Sequence, residues 1–261
     1  MADNSSFLPG PTSGAGIARV LADPEQGNLA VALLARNKEN LESLCNSLRQ
    51  TSHGGVLYPF PCDTRPANLR RVFGEITAHD AFQGLPLELA IFHVKHALKA
   101  PYLETDPADF EKSVAEYATG AFAFGQEALR QFYAQAEGGQ TVLSPSHPAK
   151  KGTVIFTGTL GALRTNEGFG AYGAGRSAVR AVAQALGKEH SRHGVHVVHT
   201  IANGPIKDVV AADGQQQQDD GIRAGKTMSA ESVGRTYLWL SRMPPDLWVD
   251  ELDMRPAQEK W

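Results

Sequence analysis

The stretch "AYGAGRSAV", residues 171–179, places Tyr172 four positions before Arg176 with small residues between them. On a helix that spacing puts phenol and guanidinium on one face. A phenol so placed is a candidate general acid for a reacting oxygen, and the guanidinium is a permanent positive charge beside it. A second chemical signal stands near the start, where "GPTSGAG" spaces Gly10, Gly14 and Gly16 ahead of a helix predicted to begin at Ile17. Glycines in that setting let the main chain approach a pyrophosphate and offer it helix N-terminal amides. The strand predicted over "LAVALLAR", 29–36, closes on Arg36 and not on a carboxylate. A guanidinium there suits a ribose 2′-phosphate better than a free diol, so NADP(H) is the expected cofactor in preference to NAD. Asp63 would accept from an adenine amino group or cap the helix that follows it.

Other residues with chemical potential are weighed the same way. His190, His193, His196 and His199 recur at every third position, but the run passes from a helix end through Gly194 into a strand. Their side chains should diverge, so solvated helix-end histidines are expected and no metal. His93, Lys95 and His96 follow a predicted strand, at the end where α/β sheets bind ligands. His93 is there either an acid or base near neutral pH or part of an outward-facing turn.

The elements that must position these groups alternate. Strands are predicted at 29–36, 56–63, 87–94, 152–159 and 195–202, after a short first strand in "FLP". Helices are predicted at 38–51, 67–80, about 107–136 and 171–194. This pattern predicts a single-domain, doubly wound α/β fold, of Rossmann type, with a mostly parallel sheet flanked by helices on both faces. Two segments break the alternation: the polar loop 138–152 is expected to be a surface connection, and 207–229, with its run of glutamines, a mobile substrate lid.

Of 261 residues, 25 are Lys or Arg and 28 Asp or Glu, a net charge of −3 that argues against nucleic acid or an anionic membrane as partner and for a small molecule. Neither a signal-like leader nor a run of about 18 apolar residues is visible, so a cytoplasmic location is expected. The two cysteines, Cys45 and Cys62, fit buried thiols in a reducing compartment.

Taken together, the residues resemble the short-chain dehydrogenase/reductase family over essentially the whole chain. The glycine set, Asp63, Tyr172 with Arg176, and above all "VIFTGTLGALRTNEGFGAYGAGRSAVRAVAQALGKE" carry the resemblance, and the closing "DELDMRPAQEKW" resembles fungal members. The resemblance implies that Tyr172 exchanges a proton with the substrate oxygen and that Thr159, in place of the family's serine, hydrogen-bonds it. Arg176 stands where a lysine binds the nicotinamide ribose, Tyr117 where an asparagine holds a relay water, and Lys95 where a glycine passes the ribose. Asn203 and Asp208 replace a proline and a threonine after the sixth strand. The implied cofactor-binding set is Gly10, Gly14, Gly16, Ile17, Arg36, Asp63, His93, Arg130, Arg176 and Ile206, with Arg130 equally readable as a surface ion pair. An NADP-dependent carbonyl reductase or alcohol dehydrogenase with a degenerate tetrad is the expected activity. The same scaffold reused for non-redox chemistry, or kept as an inactive binding protein, are its rivals. A homodimer or homotetramer built on the helices around 107–136 and 171–190 is implied as well.

Overall fold

The computed structural model describes residues 13–95, 98–210, 215 and 217–259. Gly10, His96 and the "FLP" strand lie outside the described residues. Main-chain contacts divide the chain into two compact units, and each is built on parallel strands.

The first unit holds 1–61, 204–238 and 256–261. Strand β1 (Val31–Ala35) pairs in parallel with β2 (Leu57–Pro61), Val31 opposite Leu57. Pro59 and Pro61 are two apart, so both missing donors fall along one side of β2, and the other side is free to pair. Helix α1 (Ser13–Ala22) and helix α2 (Lys38–Thr51) bury Ala15, Ala18, Ala22 and Leu48 against Leu57. Asn37 caps α2 by accepting from the Asn40 amide at 2.8 Å. The helix expected from Ile17 is already formed at Ser13, the first described residue, and Gly14 and Gly16 lie inside it.

Packing explains why a helix tolerates Gly16. A Cβ on Gly16 would stand 2.4 Å from Ala230 Cβ, at the start of helix α8 (Ala230–Ser241). One on Gly234 would stand 3.0 Å from Val20 Cβ and 3.1 Å from Ile17 Cα. The segment expected to be a mobile lid includes short elements of its own. Strand β6 (Ile206–Lys207) pairs in parallel with β7 (Met228–Ser229), and between them the short helix α7 (Asp220–Arg223) is capped by Asp219. Residues 211–214 and 216 lie outside the described residues.

The second unit holds 62–203 and 239–255. Its sheet runs β3 (Leu89–Phe92), β4 (Gly152–Gly158), β5 (Val195–Ala202), β8 (Glu251–Met254), all parallel. Every residue of β4 and β5 is buried, the behaviour of strands covered on both faces. Helix α3 (Pro66–Ala78) packs on α5 (Gly120–Gln135), and α6 (Gly170–His190) lies along β4 and β5. Helix α4 (Pro107–Val114) runs into α5 through a π-helical turn, Ala115–Thr119. Gly194, with φ of 86°, ends the helical run where only glycine is at ease. Among the described residues no helix is long and apolar enough to cross a membrane.

Candidate active site

Strand β4 delivers Thr159 one residue beyond its carboxyl end, and the first turn of α6 delivers Tyr172. The Thr159 Oγ1 and Tyr172 Oη atoms lie 2.8 Å apart. Thr159 also caps the turn Leu160–Ala162, accepting from the Gly161 amide at 3.3 Å, which fixes its rotamer. A Cβ on Gly161 would stand 2.8 Å from Tyr172 Cε1, so this glycine gives the phenol ring its seat. Phe169 and Tyr117 meet that ring edge-on, with centroids 5.9 Å and 6.0 Å away. Two hydroxyls converging on one point can both hydrogen-bond a carbonyl oxygen, and one of them can protonate it.

Arg176 comes to the same place by a different route. Its guanidinium carbon lies 4.4 Å from the Tyr117 ring centroid and 5.3 Å from that of Tyr172. Nη1 donates to the Thr157 carbonyl at 2.9 Å and Nη2 to the Val94 carbonyl at 3.0 Å. Nε is buried and, among the described residues, has no hydrogen-bond partner. The fork thus faces the main chain of the β3 and β4 ends. His93 Nδ1 lies 3.0 Å from Thr157 Oγ1. Burial, reinforced by the Arg176 charge, pushes the His93 imidazole down to about 4. It is neutral at pH 7, which disfavours it as a proton donor there. Lys95 is exposed. Lys99 sets its ammonium 5.5 Å over Phe169, and the Ala100 amide ties that loop to the Gly168 carbonyl at 2.9 Å.

The remaining expected residues are placed elsewhere. Arg130 lies on α5, 13 residues past Tyr117 and so about 20 Å along a helix. It pairs with Glu127, which Arg70 of α3 also reaches at 3.3 Å, in a groove of about 450 Å³ beside Phe73. The ion-pair alternative describes its surroundings. Asp63 accepts from Arg65 Nε at 2.6 Å and Asn68 Nδ2 at 2.7 Å. Burial alone would raise its carboxyl, but these bonds outweigh that and hold it at about 2. It organises the entry to α3 and does not cap it directly; the cap position is Arg65.

The expectation of solvated helix-end histidines is corrected, and the His190 and His193 rings lie side by side with centroids 6.2 Å apart. His196 and His199 are buried because β5 is an interior strand of its sheet, and His193, in the turn Ser191–His193 before that strand, is buried as well. Each has its own partner: Tyr133 Oη for His190, the Gln140 carbonyl for His193, the Val249 carbonyl for His196 and Glu251 for His199. Among the described residues no three metal-ligating side chains come together. Cys45 and Cys62 are buried thiols, and burial pushes both up to about 11.

The expected dinucleotide can be tested residue by residue. In the first unit, α1 is already helical at Ser13, the first described residue, and Arg36 is exposed immediately beyond β1, a chemistry that fits a phosphate group. Ile17 is buried in α1, and Ile206 pairs with Met228 in the short β6 ladder. Arg176 does not fit the role of ribose ligand, since both arms of its fork are held by main-chain carbonyls. Thr157, Phe169, Gly161 and Gly175 were not singled out from sequence. Gly161 in "GTLGAL" and Gly175 in "AYGAGR" were the signal, since each makes room for a tyrosine ring.

Comparison with known proteins supplies the context. Residues 11–243 match the family model described as enoyl-(acyl carrier protein) reductase. A short-chain dehydrogenase/reductase of Armillaria gallica is 23% identical over 198 residues, 75% of this chain and 69% of that protein. A short-chain dehydrogenase of Rhodopseudomonas palustris superposes with a TM-score of 0.71 at 25% identity, covering 94% of this chain and 93% of the other. An alcohol dehydrogenase of Thermococcus sibiricus, complexed with 5-hydroxy-NADP, gives 0.71 at 16% identity over 97% and 95%. A gluconate 5-dehydrogenase of Burkholderia cenocepacia, in complex with NADP and tartrate, gives 0.70 at 16% over 94% and 90%.

Proposed function

This chain belongs to the short-chain dehydrogenase/reductase family, and on that premise we propose that it is a cytoplasmic NADPH-dependent reductase of a small-molecule carbonyl, in fungal secondary metabolism. The observation that carries the proposal is the 2.8 Å pair of Thr159 and Tyr172 hydroxyls. Tyr172 gives its proton to the carbonyl oxygen, Thr159 hydrogen-bonds that oxygen, and Arg176 keeps a positive charge beside the phenol ring. When bound, NADPH supplies the hydride. Gly14 and Arg36 are the proposed phosphate-side residues of the first unit, since Gly16 and Ile17 are taken up by packing within α1; Ile206 is a further proposed cofactor residue of that unit, and Asp63 and His93 are proposed ones of the second. The NADP-bound relatives support this cofactor class. Assembly as a homodimer or homotetramer through α4, α5 and α6 belongs to the same proposal, supported by the half-exposed Phe110 and Phe122.

One observation favours a second reading. The engagement of Arg176 with main-chain carbonyls removes the usual ribose contact, which suits a scaffold turned to isomerisation, cyclisation or dehydration. NADPH oxidation across a panel of aldehydes and ketones, with and without Tyr172→Phe, separates the two. Hydride transfer that depends on Tyr172 supports the reductase. NADPH binding without transfer, or product formed with no nicotinamide present, supports the second reading instead.

A further inference from the structure

Tyr117 and Arg176 depart from the expected residues near Tyr172, and the structure ties them to one another through Gly175. Tyr117 sits in the π-helical turn Ala115–Thr119, fully buried. A π turn holds one residue more than an α turn and so re-aims the side chains it carries. The Tyr117 ring needs room on α6, and Gly175 provides it. A Cβ there would stand 2.6 Å from Tyr117 Cδ2 and 3.1 Å from its Cβ. The ring in turn offers a flat face to the Arg176 guanidinium at 4.4 Å. A planar guanidinium can stack on that face while its two arms reach different acceptors, and an ammonium has no such plane. The arms hold the Thr157 and Val94 carbonyls, at the carboxyl ends of the strands that lead to Thr159 and His93.

We infer that Tyr117, Gly175 and Arg176 are one coupled unit, in which Arg176 is a positioning residue that holds Tyr172 against Thr159, so that Tyr117 and Arg176 are not two separate losses from a catalytic set. Gly175 admits the ring, the ring admits the guanidinium, and the guanidinium fixes the strand ends and faces Tyr172 at 5.3 Å. The consequence for turnover rests on the reductase reading above. The coupling itself does not.

Thermal unfolding of a double-mutant cycle tests the coupling. Gly175→Ala alone is expected to lower the melting temperature by about 4–8 °C, because the added methyl overpacks Tyr117. In a Tyr117→Val background the same change should lower it by no more than about 1 °C, or raise it, since alanine favours a helix over glycine. In Tyr117→Phe, which keeps the ring and is the milder variant, the full loss should return. Shifts for Gly175→Ala that are equal in all three backgrounds overturn the coupling. Kinetics test the positioning role: Arg176→Lys should lower kcat by about 10- to 100-fold with the KM for NADPH within about twofold, a split a cofactor ligand would reverse. The kcat loss should shrink when Arg176→Lys is made in Tyr117→Asn, where no ring awaits a guanidinium. A roughly tenfold rise in the NADPH KM at unchanged kcat overturns the role. If the unaltered protein transfers no hydride, the reductase reading fails and the melting cycle still decides the coupling.

Discussion

Glycine does different work in the two units. In the first, Gly16 and Gly234 bring α1 and α8 into close contact, main chain near main chain, with Ala230 and Val20 as neighbours. In the second, Gly161 and Gly175 are places where tyrosine rings lie on the backbone. Motif spacing reads both as glycine, but the missing Cβ is filled by a helix in one and by an aromatic side chain in the other. The buried charges differ in the same way. Arg19 meets Asp208 through two bonds of 2.8 and 2.7 Å, with Thr51 on its third nitrogen. Among the described residues Arg176 meets no carboxylate: its two arms reach carbonyls, its plane lies against ring faces, and its Nε is left without a partner. A family position can therefore keep its charge while changing what the charge holds.

This contrast can be broken experimentally. The largest effect is expected at Tyr172→Phe, which removes the proton donor and should lower carbonyl reduction by about 10²- to 10⁴-fold in steady-state assays while leaving the fold intact. Unchanged turnover would remove Tyr172 from the chemistry. Next comes Asp208→Ala, which strands the buried Arg19 and should cost about 3–5 kcal/mol in urea unfolding. A cost under about 1 kcal/mol would make that pair ornamental and weaken the contrast with Arg176. Gly16→Val should cost about 1–3 kcal/mol by overpacking Ala230, and a neutral result would argue that Gly16 is not a packing glycine.

The smallest expected effect concerns pH. The His93 imidazole is held down to about 4 in the folded chain, against about 6.5 when unfolded. Between those values the unfolded chain binds more protons, so stability falls as pH drops from about 6.5 to about 4. His93→Asn should flatten that slope by up to about 1 kcal/mol per pH unit in acid unfolding curves. Some slope should remain, because burial lowers His196 and His199 as well. An identical slope in the variant would place the acid sensitivity elsewhere.

Much of the architecture was legible before any coordinates. The spacing of Leu41, Leu44, Cys45 and Leu48 predicts α2 over 38–51, and it spans Lys38–Thr51. The apolar run at 195–202 predicted β5, which spans Val195–Ala202. In both, the signal is local: side-chain periodicity matches the repeat of the element. The α1 start was misjudged because Gly14 and Gly16 read as loop residues, and only Ala230, far along the chain, makes Gly16 belong in a helix. His196 and His199 were misjudged because burial depends on how many strands flank β5. At the candidate site, Tyr172 and Thr159 could be named from sequence, but the hydroxyl contact between them could not be measured.

By itself, the sequence determined the run of strands and helices, the absence of a strong charge bias, and the presence of a phenol and a guanidinium one helical turn apart on α6. Those are consequences of residue types at fixed short spacing. Tertiary structure alone decided where the guanidinium reaches. Tyr117, Thr157 and Val94 come from a π turn, a strand and a loop, and only folding brings a ring face and two carbonyls around one planar cation.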